Sequence, residues 1–283
     1  MLGWLIYSKV DAAENKTYIE WFKNEALMQN VSLKLILREE LTIGIFQNKR
    51  TILLRGKEVT LPTFAVVRTV EPFLNLYLEN SGIVTFNSAT ISKLCNHKSI
   101  THYEVNKLNI PMVDTIFLKK ESVSDSLPMP IPFVVKEATG RSGKQVYLIR
   151  NSTDWKQCIK NVSTSDLVIQ SSEVKLGKDL RVFIVGKEII GAVLRESTTD
   201  FRANFKLGGS ATWYPLHKNE LTIINKIIQS FDFDMVGIDF LIDLNGNLLF
   251  NEIEDVVGSR ILSAVSDINI LKKYVKHIKS KCK

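Results

Sequence analysis

The sequence predicts a mixed α/β protein of the α+β kind, with much antiparallel hairpin character. Three observations carry this. Short runs rich in β-branched and apolar residues recur along the chain, among them WLIY, LKLILR, FAVVR, LVIQ, DLRVFIVG and EIIGAVL. Helical periodicities are interspersed with these runs and not collected at one end. Near the C-terminus, Asn245-Gly246 separates two apolar runs, which signals a hairpin because both residues tolerate positive φ.

Taken in order, the opening MLGWLIYSKVDAAENK is apolar but short, without a basic leader or a small-residue cleavage site. It is expected to be a first strand and not a signal peptide. A helical pattern over 14–29 and the strands LKLILR and FAVVR then make a small N-terminal α/β domain over residues 1–90. The stretch SATISKLCNHKSITHYEVNKLNI reads as helical up to Pro111, and VDTIFL as a strand. Residues 122–132, with Pro128, Pro130 and Pro132, form a rigid loop. FVVKEA, QVYLI and LVIQ complete a central segment, 91–170. A C-terminal segment, 171–283, holds DLRVFIVG, EIIGAVL, a helix over 219–230, the hairpin GIDFLIDLNGNLLFNEIED and a terminal helix over 268–279.

With 283 residues, 45% hydrophobic and 24% charged, the chain can bury a sizeable core in two or three subdomains. No apolar run reaches the roughly 18 residues a membrane helix needs, so no membrane partner is expected. Cys95, Cys158 and Cys282 are odd in number and far apart, and the four histidines are scattered. Neither a disulfide framework nor zinc spacing results, and a reducing cytoplasm suits the chain. Part of the net charge of +7 lies in KKYVKHIKSKCK. The solvated face of a terminal helix is favoured there over a nucleic-acid contact, and a basic chain also suits a polyanionic nucleotide.

If Asn245 and Gly246 are the whole hairpin loop, Leu244 pairs with Asn247 and Leu241 faces Phe250. Asp239 then faces Glu252, and Glu254 lies opposite Gly237 on the same face. Facing Cβ atoms in such a pair are about 5 Å apart, so like charges there destabilise the sheet unless something neutralises them. A hard divalent cation does so. Solvated acids on a surface hairpin are the alternative. Leu241, Leu248 and Phe250, placed on the same face by this register, favour an inward face and a metal.

In FVVKEATGRSGKQVYLI, Lys136 leaves an apolar strand, and a lysine there is costly unless it snorkels or meets an anion. Gly140 and Gly143 let backbone amides approach a phosphate, beside Arg141 and Lys144. This is not a Walker A loop: two residues separate the glycines and a strand follows. Asp179 and Arg181 share a strand face, and DFRANFKLGG supplies Arg202, Asn204 and Lys206. Cations, carboxylates and a glycine loop together are the parts of a phosphoryl-transfer site.

In order along the chain, CNHKS, VVKEATGRSGKQV, LVIQSSE, DLRVFIVG, DFRANFKLGG, VGIDFL and LLFNEIE resemble the ATP-grasp superfamily, in its RimK-like carboxylate–amine ligase branch. The resemblance runs from about Thr85 to the C-terminus, and the first ninety residues match only as the small α/β domain that precedes such folds. It implies an ATP-grasp fold and Lys98 and Lys136 on the ATP phosphates, under a flap containing Gly140 and Gly143. It implies adenine read by the backbone near Ser171 and Ser172, after which the alignment needs a one-residue gap. Asp179 would lie near the ribose. Arg202 would reach the transferring phosphoryl group, so Arg202 and Lys136 are the catalytic candidates. Asp239 and Glu252 would hold Mg²⁺, with Mn²⁺ as an alternative, and Glu254 stands where the branch usually has asparagine. Asn204, Lys206 and Arg260 are candidates for gripping substrate, Arg260 within DVVGSR, which replaces the usual small-residue and proline turn.

The implied chemistry begins with a substrate carboxylate attacking the γ-phosphate of ATP. An amine of an amino acid, peptide or protein then displaces phosphate from the acylphosphate, leaving an amide, ADP and phosphate. The flap would exclude water. Competing readings are an ATP-grasp kinase acting on a small molecule and a non-catalytic basic protein that binds nucleotide or nucleic acid. A homo-oligomer is compatible with all of these.

Overall fold

The computed structural model describes residues 1–124, 126–140, 145–203 and 209–282. It is a mixed α/β protein built on four sheets. Nearest the N-terminus, Leu2–Tyr7 lies between the parallel strands Ser32–Leu37 and Phe64–Val67, with Val84–Phe86 at the edge. WLIY and FAVVR form the inner strands, buried on both faces as parallel strands usually are, while LKLILR lies at the edge with Ser32 and Lys34 exposed. Leu41–Phe46, Lys49–Leu54 and Lys57–Glu58 add a small antiparallel sheet that sequence patterning did not anticipate.

Helix boundaries follow their caps. The Ser8 side chain accepts from the Asp11 amide at the start of Lys9–Glu14, and the Ser88 side chain from Ile91 at the start of Ala89–Cys95. The expected continuous helix before Pro111 is two helices, Ala89–Cys95 and Lys98–Asn106, broken at Asn96-His97. This break places Lys98 in the first turn of the second helix, where its amide donates to Ala138 O at 2.8 Å.

The strands Thr115–Lys119, Phe133–Glu137, Val146–Ile149 and Asp166–Ser171 form an antiparallel sheet backed by Ser152–Asn161. Asp166–Ser171 leads through Ser172 and Glu173 directly into Val174–Val185, the middle strand of a second antiparallel sheet. That sheet has Glu188–Glu196 and Ser210–Trp213 on one side, and Met235–Asp243 and Leu248–Glu254 on the other.

One face of this second sheet is apolar along its length. Leu180, Val182, Ile238, Phe240 and Phe250 pack there with Ile224, Ile227 and Ile228 of the helix Lys218–Ser230. The opposite face is apolar only at one end, where Phe183, Val193 and Met235 share a core with Phe22 and with Leu271, Tyr274 and Ile278 of the helix Ile270–Lys281. The lysines of that helix point away from its buried stripe, as the basic tail led us to expect. Asn87 stitches the N-terminal region to this sheet: its side-chain amide donates to Met235 O (2.9 Å) and Asp255 O (3.1 Å) and accepts from Asp234 N (2.7 Å). No helix among the described residues is long and apolar enough to cross a membrane.

Candidate active site

The acidic hairpin forms with a different turn. Gly246 N donates to Asp243 O (3.1 Å) and Asp243 N to Asn247 O (2.9 Å), so Leu244, Asn245 and Gly246 make a three-residue loop, with Gly246 at φ 96. Leu241 therefore faces Leu249 and not Phe250. The register then shifts between Phe240 and Asp239, where Asn251 is an extra residue in its strand, and beyond it Asp239 faces Glu252 and Gly237 faces Glu254. The longer turn and the bulge displace the register in opposite senses, so the expected acid pairs are restored. The bulge also reverses the alternation. Leu248 and Phe250 lie on the apolar core face, not beside the acids, while Asn251 and Glu252 both border the cavity.

Asp239, Glu252 and Glu254 come together with one carboxylate oxygen of each within 4.8 Å of the others. They are not the uncompensated charges that the linear sequence suggests. Arg181, directly opposite Asp239 across the neighbouring strand, binds it through Nε (2.7 Å) and Nη2 (2.6 Å). The same Nη2 lies 2.8 Å from Glu254, and Arg195 Nη2 reaches Asp239 at 2.8 Å. Burial by itself would raise the pKa of Asp239, but Arg181 and Arg195 outweigh it and hold the carboxyl down at about 2. Burial, with Asp239 and Glu252 adding to it, raises Glu254 against the pull of Arg181.

A carboxylate accepts about four hydrogen bonds, and three guanidinium contacts leave Asp239 capacity for one further ligand. With Glu252 and Glu254, this is a hard, all-oxygen donor set that fits Mg²⁺ or Mn²⁺.

Two lysines approach the acids from the other sheet and its adjoining helix. Lys136 is buried, and its ammonium donates to Asn251 Oδ1 at 2.7 Å. Burial lowers its pKa to about 8, with Lys98 pushing the same way and Glu252 opposing. The Lys98 ammonium donates to Gly140 O and lies 3.7 Å from Glu252. Gly140 borders the cavity, and a Cβ there would stand 3.2 Å from Glu137 O.

The remaining candidates border the same cavity of ≈ 590 Å³. Ser171 and Ser172 occupy the passage between the two sheets, and the Ser172 hydroxyl donates to Pro132 O at 2.7 Å. Beside this passage, buried Gln170 donates to His102 Nε2 at 2.9 Å. His102 Nδ1 lies 2.8 Å from Lys98 O, which makes Nδ1 the protonated nitrogen of a neutral ring. Asp179 carries a bidentate pair with Arg195 (2.5 and 2.8 Å). Arg202 borders the cavity on residues 197–203, which Gly177 fastens in both directions by Gly177 N to Phe201 O and Ser197 N to Gly177 O, each 2.7 Å. Its guanidinium also binds Asp200 (2.7 and 2.9 Å). Arg260 is exposed at the cavity edge, 3.5 Å from Asn15 Oδ1. Gly143, Asn204 and Lys206 lie outside the described residues.

Patterning missed Asn251, Arg195 and Arg68 at this cavity. A bulge leaves no local mark, but the arginine ending the apolar run GAVLRE was a signal of the same kind as Lys136.

Comparison with known proteins places this site in a family. Residues 95–278 match the family model described as the RimK-like ATP-grasp domain. The glutamate–LysW ligase ArgX of Sulfurisphaera tokodaii is 27% identical over 228 residues, covering 76% of this chain and 81% of that protein. N-acetylaspartylglutamate synthase A of Homo sapiens is 26% identical over 247 residues, which are 81% of this chain but 63% of the longer relative. Among solved structures, a RimK domain ATP-grasp protein from Sphaerobacter thermophilus superposes with a TM-score of 0.76 at 14% identity, covering 99% of this chain and 100% of the other. At that identity the likeness is one of fold.

Proposed function

This chain belongs to the RimK-like ATP-grasp family, and on that premise we propose that it is an ATP-dependent ligase joining a carboxylate to an amine through an acylphosphate. The observation that carries the reading is the meeting of Asp239, Glu252 and Glu254 with Lys98 and Lys136 in one cavity. Carboxylates for a cation and ammonium groups for phosphate oxygens are what phosphoryl transfer from ATP requires.

In this reading the adenine lies against the passage at Ser171 and Ser172 and the ribose toward Asp179. The phosphates lie under Gly140 and Gly143, between Lys98 and Lys136. Mg²⁺ held by Asp239, Glu252 and Glu254 would neutralise phosphate charge. Lys136, fixed by Asn251, and Arg202, released from Asp200, stabilise the charge that develops as the substrate carboxylate attacks the γ-phosphorus. Asn204, Lys206 and Arg260 are the candidates for substrate contact. Phosphate leaves when the amine attacks the acyl carbon, and closure of the glycine loop keeps water from that intermediate. The chain divides for this work into residues 1–90, 91–170 and 171–283, and it acts in the cytoplasm on an amino acid, a peptide or a protein.

The test is a phosphate-release screen over carboxylates and amines with Mg²⁺ATP, with hydroxylamine added to trap the acylphosphate as a hydroxamate. Phosphate release that needs a carboxylate, with an amide found by mass spectrometry, supports the proposal. A phosphorylated product without free phosphate would replace it with a kinase.

A further inference from the structure

The small antiparallel sheet near the N-terminus has a bare edge. Its strand order is Leu41–Phe46, Lys49–Leu54, Lys57–Glu58, and among the described residues no strand pairs with the outer side of Leu41–Phe46. That strand, LTIGIF, contains neither a charged residue nor a proline, the devices by which sheet edges ordinarily resist pairing. Ile45 is 72% exposed and Phe46 53%. Phe73 and Leu76 are exposed as well, on the adjoining helix Pro72–Glu79. Helix and strand are fastened together: the Tyr77 hydroxyl donates to Gly44 O and accepts from Thr51 N (2.8 Å), and the Tyr77 ring stands 6.2 Å from that of Phe73. An apolar edge held this firmly is a surface to be covered.

Register shows what would cover it. Gln47 and Asn48, at φ 50 and 61, make a two-residue loop, across which Phe46 pairs with Lys49. Ladder bonds recur at every second pair from the loop. Phe46, Gly44 and Thr42 therefore turn their amides and carbonyls inward to Lys49–Leu54, while Ile43 and Ile45 turn theirs outward. A second copy laid antiparallel on this edge bonds Ile43 to the partner's Ile45, and Ile45 to the partner's Ile43, about a two-fold axis at Gly44. Glycine at that centre lets the backbones approach closely. The Phe46 ring lies over Gly44, where a Cβ would meet it at 3.0 Å, so the two rings flank the axis. The ends match too. Glu39 and Glu40 precede the strand, and Lys49 and Arg50 follow its loop. Antiparallel pairing sets the acids of each copy beside the cations of the other, as a self-complementary interface requires.

We propose that this chain pairs with a second copy of itself through Leu41–Phe46, in antiparallel register about Gly44, joining two three-stranded sheets into one of six strands. The contact lies one element away from the active-site cavity. Glu39 also accepts from Lys9 N (3.0 and 2.9 Å), at the start of the helix whose Asp11 and Glu14 border that cavity. The pairing does not depend on the ligase reading.

The experiment measures the mass of the full chain by sedimentation equilibrium across the micromolar range, where a dimer is expected. Ile45→Glu puts a charge on the edge yet meets Arg50 across its own hairpin, so it should stay folded and raise the dissociation constant by roughly tenfold or more. Lys49→Glu should weaken the dimer, and adding Glu39→Lys to it should recover much of the loss. Cys95 and Cys158 are buried. Gly44→Cys, made together with Cys282→Ser, should therefore give a covalent dimer on mild oxidation, because facing Cα atoms of such a pair are about 4.5 Å apart, within disulfide reach.

A chain that stays monomeric throughout overturns the proposal. A dimer whose dissociation constant is unchanged in Ile45→Glu, or that Gly44→Cys fails to cross-link, overturns it equally, since the contact then lies on another surface. Should Ile45→Glu not fold, the charge variants decide: a double variant no tighter than Lys49→Glu alone sinks the antiparallel register.

Discussion

Arg181 and Arg68 are equally buried, at 8% exposure each, yet they live in opposite surroundings. Arg181 is held by Asp239 and Glu254, in a cross-strand network that continues through Arg195 to Asp179. Arg68 has tyrosine rings and one carbonyl, and no carboxylate among the described residues. The first arrangement is electrically closed: the cations allow three acids to share a few ångströms before any metal arrives. The second rests on aromatic faces and one carbonyl, and the difference separates a cation neutralised by carboxylates from one held by rings.

The contrast breaks most sharply at Asp239. Asp239→Asn would leave Arg181 with Glu254 alone and Arg195 with Asp179 alone, and removing one partner of a buried pair costs about 3–5 kcal/mol. Denaturant unfolding should show that loss, and phosphate release should fall by about 10³-fold or more because a metal ligand goes with it. Retained turnover would remove Asp239 from the proposed chemistry.

Next in size is the response to acid. Burial, aided by Lys136, lowers the pKa of His102 to about 4 from 6.5. Below pH 6.5 the unfolded chain takes up a proton that the folded chain refuses. Stability therefore falls as pH drops from 6.5 to 4 and the contribution levels off below, for a total of roughly 3 kcal/mol. Unfolding curves for wild type and His102→Gln between pH 7 and pH 4 should diverge in slope over that window. Parallel curves would mean that the ring takes up its proton over the same pH range in the folded and unfolded chain.

A smaller effect is expected at Asn251. Asn251→Ala removes the hydrogen-bond partner of the Lys136 ammonium and keeps the bulge, so the acids stay in register. The loss of one bond to a charged group, about 1.5 kcal/mol, should raise KM for ATP by roughly tenfold. An unchanged KM would show that Asn251 does not position Lys136.

The smallest change in stability should come from Arg68→Met. An arginine without a buried counter-ion gives up little when an apolar chain of similar volume replaces it, so a shift of at most about 1 kcal/mol is expected. A loss near that of Asp239→Asn would show Arg68 to be as closed a structural element as Arg181.

Much of this site was legible in the sequence. Lys136 stood out because an ammonium in an apolar strand needs a partner, and Asp239 and Glu252 because an Asn-Gly turn sets a countable register. That count reached the right acid pairs through two offsets that cancel, a third loop residue at Leu244 and a bulge at Asn251. Where they do not cancel, at Leu241 and Phe250, the expected pairing was wrong. Local pattern sees neither bulges nor the partners that distant strands supply. It placed Arg181 on a strand face but could not show that it neutralises Asp239.

The order of motifs from Cys95 onward and the alternation of apolar runs, read from the sequence by itself, determined the fold class, the family resemblance and the residue types at the site. These depend on short-range periodicity, which a linear chain displays directly. Only the tertiary structure decided which charges cancel and which do not. An ion pair is made or missed over a few ångströms between strands separated by tens of residues, as with Arg181 and Asp239. Arg68 and Val257 meet across 189 residues of sequence. What such a buried group lacks is visible only once everything around it is in place.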